Sequence, residues 1–100
     1  HKGFPDGLGV RQQWLDRVEF AGIVANGRAF RGTNGRWVTF LTLGTGYGEY
    51  IDVTVQRPVA YRDYDIVYGQ GRIRTQDRSD YIHTVDTKCY TFKQWGEINK

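Results

Sequence analysis

The stretch IVYGQGRIRT, residues 66–75, decides the fold. Val67, Gly69, Gly71 and Ile73 alternate with Tyr68, Gln70, Arg72 and Arg74, which is the period of a strand whose successive side chains point to opposite faces. The expected inward face is Val67 and Ile73 with two glycines between them, and the outward face carries Tyr68 and the arginines. Glycine inside a strand marks a bulge, a sharp bend or the close approach of another backbone. A strand that bends at glycines and turns arginines outward suits a small, tightly curved barrel with a wall able to hold a polyanion.

Outward from this stretch the chain reads as strands almost throughout. In residues 16–26, Val18, Phe20, Gly22 and Val24 share one face and Arg17, Glu19, Ala21 and Ile23 the other. Asn26-Gly27 and Asn34-Gly35 are both turn dipeptides, so residues 28–32 are expected to form a short arm between two reversals. Arg28, Arg31 and Arg36 gather there. In residues 37–43, Trp37, Thr39, Leu41 and Leu43 oppose Val38, Phe40 and Thr42. After the glycine-rich turn at 44–48, Ile51, Val53 and Val55 point inward against Tyr50, Asp52, Thr54 and Gln56. Residues 58–65 interrupt the strands with room for one helical turn at most. Residues 76–79 form a polar tip, and residues 80–95 are expected to be a long strand or a pair of strands. The expected core is Val18, Phe20, Leu41, Leu43, Ile51, Val53, Val55, Val67, Ile73 and Val85, with Trp14 and Trp37 also more suited to the core than to a ligand.

Composition bounds what such a fold can do. One hundred residues make one domain, too small for a core plus a separate catalytic lobe. The formal net charge is only +3, yet ten of the fourteen basic residues are arginine, which pairs bidentately with phosphate and stacks on bases as lysine does not. The fifteen aromatic residues exceed the needs of a core this size, so some are expected at a surface or an interface. The lone Cys89 has no internal disulfide partner, and two histidines supply no zinc-ligand spacing. No metal or other cofactor is expected. No apolar run approaches the roughly 18 residues of a membrane span, so a soluble chain without a membrane partner is expected. With His1 first and no methionine, the chain is expected to derive from a longer product.

Five strands, glycine bends and a connector between the third and fourth describe an all-β, five-stranded OB-fold Greek-key barrel with a short or absent connecting helix. The expected organisation is a flexible N-terminal lead-in at residues 1–15, an OB-fold domain at 16–95 and a tail at 96–100. RVEFAG (17–22), VTFLTLGT (38–45), GEYIDVTV (48–55) and GQGRIRT (69–75) follow in order. That succession resembles the bacterial and mitochondrial single-stranded DNA-binding proteins, whose OB domain carries a G-x-[LI]-R-T element, here Gly71-Arg72-Ile73-Arg74-Thr75. The resemblance covers residues 16–92.

The resemblance implies bases stacked on aromatic side chains and a backbone held by basic ones. Tyr50 stands where such proteins commonly have a stacking tryptophan. Gln56 replaces a frequent stacking phenylalanine, and Arg78 falls near another stacking tryptophan. Phe40, Thr54 and Tyr68 are further candidates on the expected outward face, with Arg72, Arg74 and Arg78 and the hairpin arginines Arg28, Arg31 and Arg36 for phosphates. Each has an alternative. Tyr50 and Phe40 could pack against the N-terminal segment or a second subunit, Arg72 and Arg74 could pair across strands with Asp80, Asp86 or another carboxylate, and the hairpin arginines could remain solvated. His83 and Cys89 read as structural.

No catalytic residues are assigned. GTNGRW and GTGYGEY contain closely spaced glycines, but the first lacks the lysine-serine/threonine ending of a phosphate-cradling loop and neither precedes a long helix. The carboxylates specify no acid and base pair. Two functions from different classes remain. One is a module for single-stranded DNA or RNA, serving replication or RNA processing. The other is a protein scaffold that assembles as a homo-oligomer or with other OB-fold subunits, as in the mitochondrial RNA-editing complexes of kinetoplastids, whose OB domains are similar. The resemblance leaves an intracellular location, including a mitochondrial one, open.

Overall fold

A computed structural model of the chain describes residues 7–98. Its elements are β1 (Gly9–Trp14), β2 (Arg17–Arg31), β3 (Trp37–Gly44), β4 (Tyr50–Val55), β5 (Ile66–Gln76), β6 (Ser79–Thr84), β7 (Thr87–Tyr90) and α1 (Phe92–Ile98). Five strands close into a ring in the order β2-β3-β4-β6-β5 and back to β2. Within it β4 and β6 are parallel and the other neighbours antiparallel. This is the all-β OB-fold arrangement. β1 lies along the first half of β2 and β7 along the first part of β5. Residues 56–65, between β4 and β5, contain no helix.

The ring closes because β2 bends. Its residues 17–23 pair with β5 and its residues 23–31 with β3, with a register shift between Val24 and Asn26. An extra residue on one strand bends it and strengthens its twist. The reversal expected at Asn26-Gly27 is therefore absent, because β2 runs through both residues. Instead Asn26 Oδ1 accepts the Gly27 amide at 2.9 Å, and the place where Gly27 would carry a Cβ is filled by the Tyr61 hydroxyl. The chain reverses at Asn34-Gly35, where Gly35 has φ 79° and Asn34 Oδ1 accepts the Arg36 amide at 3.0 Å.

The two glycines of β5 are close-approach positions. A Cβ on Gly71 would overlap the His83 carbonyl oxygen, and one on Gly69 would come within 2.7 Å of Phe20 Cζ. Eight of the ten expected core residues, Val18, Phe20, Leu41, Leu43, Ile51, Val53, Val55 and Val67, are buried together, joined by Val24 and Ile82. Burying each such side chain stabilises the fold by about 1.5–3 kcal/mol relative to leaving it exposed. Ile73 and Val85 are not in this core, being 39% and 70% exposed. Ile73 lies beyond the last β5 residue that β2 covers, Arg72, and Val85 sits at the break between β6 and β7. Trp14 and Trp37 are also exposed.

The C-terminal segment departs from the expected strands. Residues 92–98 form a helix, entered through reciprocal bonds in which the Gln94 amide donates to Thr91 Oγ1 at 3.1 Å and the Thr91 amide donates to Gln94 Oε1 at 2.9 Å. This is a capping box. Trp95 packs with Tyr90, ring centroids 5.7 Å apart, as a hydrophobic staple does across a helix start. Trp95 also covers Ala21, Ile66 and Tyr68 in a second buried cluster outside the ring. The expected lead-in likewise contains a strand, β1; residues 1–6 and 99–100 of the expected lead-in and tail lie outside the described residues. Among the described residues no helix is long and apolar enough to cross a membrane.

Candidate functional site

The β2–β3 and β5–β6 hairpins project on either side of the outer face of β3 and β4, leaving an open groove of ≈ 500 Å³. Strand pairing explains its floor. Arg28 faces Phe40, Phe40 faces Thr54, Thr54 faces His83, and His83 faces Arg72 in register. One line of side chains thus crosses from β2 to β5, and Arg28, Phe40, Thr54 and His83 all line the groove. The Arg28 guanidinium carbon lies 5.7 Å from the Phe30 ring centroid and 5.8 Å from that of Phe40, within the range of a cation–π contact.

The expected site residues divide into three groups. Arg28, Phe40 and Thr54 are brought together in the groove. Arg31, Arg36, Arg74 and Arg78 are outside its lining, all exposed and without an ion pair among the described residues; Arg74 is in register with Tyr81 of the groove, whereas Arg31 lies on the face of β2 opposite Arg28. Arg31 lies 5.5 Å from the Trp37 ring centroid, and Arg78 occupies the β5–β6 tip with φ 67°. Arg72 is exposed too and pairs with another carboxylate, Asp16, at 3.6 Å. Tyr50 is exposed at the start of β4, where it borders an adjoining depression of ≈ 190 Å³ with Val10 and Ile73, which shares Asp52, Asp80 and Tyr81 with the groove.

Tyr68 lies on the outward face, as expected, but is not exposed there. The helix covers this part of β5 from outside, so Tyr68 is buried with its ring centroid 6.1 Å from that of Trp95. Its hydroxyl donates to Glu19 Oε2, and Arg11 from β1 bonds Glu19 Oε1. Burial, and then the bond to Glu19, push the Tyr68 phenol above its ordinary value. This network ties β1, β2 and β5 together away from the groove.

Several groove residues escaped the sequence reading. Phe30 shares a face with Arg28 two residues away, a relation hidden by the turn expected at Asn26-Gly27. His83 lines the groove with its Nδ1 3.4 Å from Gln56 Nε2. Burial, and then the nearby Arg74 charge, hold its imidazole below the ordinary value. Asp52, Asp77 and Asp80 also line the groove; Asp80 accepts from Thr75 Oγ1 at 2.6 Å. The lining therefore includes three acidic residues and one arginine. Comparison with protein-family models, with curated proteins and with solved structures returned no match.

Proposed function

We propose that this chain is a single-stranded nucleic-acid-binding OB domain, acting through aromatic stacking in the groove and arginine–phosphate contacts around it. The observation that carries this reading is the Arg28 guanidinium held beside Phe30 and Phe40 on the floor between two projecting hairpins. Each base has a π-face, so such a floor is sequence-tolerant and is worth about 1–3 kcal/mol per stacked base. Arg31, Arg36, Arg74 and Arg78 supply the exposed charge that releases condensed counterions from a backbone. The likeness of four sequence blocks to single-stranded DNA-binding proteins supports the same reading.

The experiment is a titration of single-stranded DNA, single-stranded RNA and duplex across salt concentrations. Single strands bind more tightly than duplex, and affinity falls as salt rises. Flat isotherms for both single strands at low salt would remove this reading.

One observation favours a second reading, a scaffold domain for a homo-oligomer or other OB-fold subunits. Tyr50, Val10 and Ile73 are exposed around one depression that adjoins the groove, and exposed apolar clusters mark protein contacts. In that case partner binding survives replacement of Arg72 and Arg74 by alanine and is lost with Tyr50→Ser.

A further inference from the structure

We infer that an open depression of ≈ 380 Å³ beside the β3–β4 turn binds a quaternary ammonium group. It lies at the end of β3 opposite the arginine hairpin, and the inference does not rest on the single-strand reading. Three parts of the chain meet there. Gly44 and Gly48 bound the turn, and Tyr50 follows at the start of β4 with its Cε1 atom 3.8 Å from where a Gly44 Cβ would stand. Tyr64 comes from the connector between β4 and β5, and Phe92 opens α1. All three aromatic residues are exposed, and none of their rings stacks on another among the described residues.

Packing does not account for Tyr64. The Asp65 amide donates to the Arg62 carbonyl at 3.1 Å, which makes Tyr64 the third residue of a turn, and its φ is 68°. That position favours glycine, because an L side chain in the left-handed region crowds its own backbone. The strain brings no burial in return, since Tyr64 is 71% exposed. Residues held in such backbone states cluster at ligand sites.

The chemistry of the lining selects the occupant. Among the described residues, Glu49 is the one charged residue of the lining, and no ion pair neutralises its carboxylate. No arginine, lysine or histidine lines the depression to hold a phosphate, which disfavours a nucleic-acid backbone. A neutral apolar group would cover part of the Glu49 carboxylate and leave it without a partner. An organic cation meets both features, because the faces of aromatic rings attract it and the carboxylate neutralises it. A quaternary ammonium suits the site better than a bare one. It brings methyl groups to the rings and has no N–H that needs an acceptor.

Choline and the uncharged alcohol in which a tert-butyl group replaces its trimethylammonium have the same shape, so together they isolate the charge. In amide NMR titrations of the whole chain, choline should move the signals of Gly44, Gly48 and Tyr64 saturably and bind about tenfold tighter than the alcohol. Tyr64→Phe should keep this binding and Glu49→Gln should weaken it several-fold. Tyr64→Gly should abolish it while the urea midpoint holds or rises, because glycine accepts the positive φ without strain. A trimethyllysine peptide that binds tighter than choline would assign the group to a protein partner, and one that binds no tighter would assign it to free or lipid-borne choline. Equal binding of choline and the alcohol, or binding of neither, overturns the inference. Choline binding that persists in Tyr64→Gly also overturns it, by placing the cation elsewhere.

Discussion

Gly71 passes directly beneath the carbonyl oxygen of His83, so closely that no Cβ fits between them. The obstacle is backbone on the paired strand, which cannot swing aside as a long side chain would. Gly71→Ala is therefore expected to destabilise the fold by about 1–3 kcal/mol, the usual cost of overpacking. Urea unfolding would show a lowered midpoint with an unchanged slope; an unchanged midpoint would mean that β5 and β6 separate freely here.

Phe40 is the central aromatic of the groove floor, between Arg28 and Thr54. Phe40→Ala should weaken single-strand binding by about 1–3 kcal/mol, and Phe40→Tyr should leave it nearly intact because the π-face remains. Tyr50→Ala should cost less than Phe40→Ala, since Tyr50 borders the adjoining depression and not the floor beside Arg28. The reverse order, measured by the same titration, would move the stacking platform to the start of β4.

His83 gives a pH signature. Its folded-state value lies below the ordinary one because of burial and then Arg74, so the folded state binds fewer protons than the unfolded chain as pH falls. The resulting stability is present above the ordinary histidine value of 6.5 and is lost as pH drops through the depressed folded value. An NMR titration should find the imidazole midpoint below 6.5, moving upward in Arg74→Ala and on addition of a single strand. A midpoint unmoved by both changes would separate His83 from the groove's electrostatics.

The helix depends on its cap. Thr91→Ala removes the hydroxyl that accepts the Gln94 amide and should cost about 1 kcal/mol. The loss should appear first as faster amide exchange in α1 and as exposure of Trp95 by fluorescence, with the ring of strands intact. Loss of the whole fold in one step would show that the outer cluster and the barrel unfold together.

These residues also mark how far the sequence could be read. The alternation in β3, β4 and the start of β5 reported the inner face directly, because one side of each strand is buried in the ring and period two follows. It failed at Tyr68, where α1 buries the second face as well. The helix itself was legible in Thr91-Phe92-Lys93-Gln94 as a threonine followed three residues later by glutamine, flanked by Tyr90 and Trp95, but β-type residues in 80–90 drew the strand past it. Asn26-Gly27 misled because local turn preference was outweighed by pairing of the flanking residues along a bent β2. That single error also hid the groove, since Phe30 and Arg28 become neighbours on a floor only if the strand continues.

The bend in β2 has a further consequence for how the chain acquires its shape. One strand near the beginning pairs with its immediate successor and also with β5, roughly fifty residues later in the register of Phe20 with Gly69. The first pairing closes a short loop, whereas the second must bring distant segments together, at an entropic cost that grows with the length enclosed. Barrel closure is thus a late and slow event, in the range that non-local β folds occupy. On the ribosome the β2–β3–β4 meander emerges with its apolar face uncovered. It stays so until β5 and then β6, as far as residue 84, are available to close the ring.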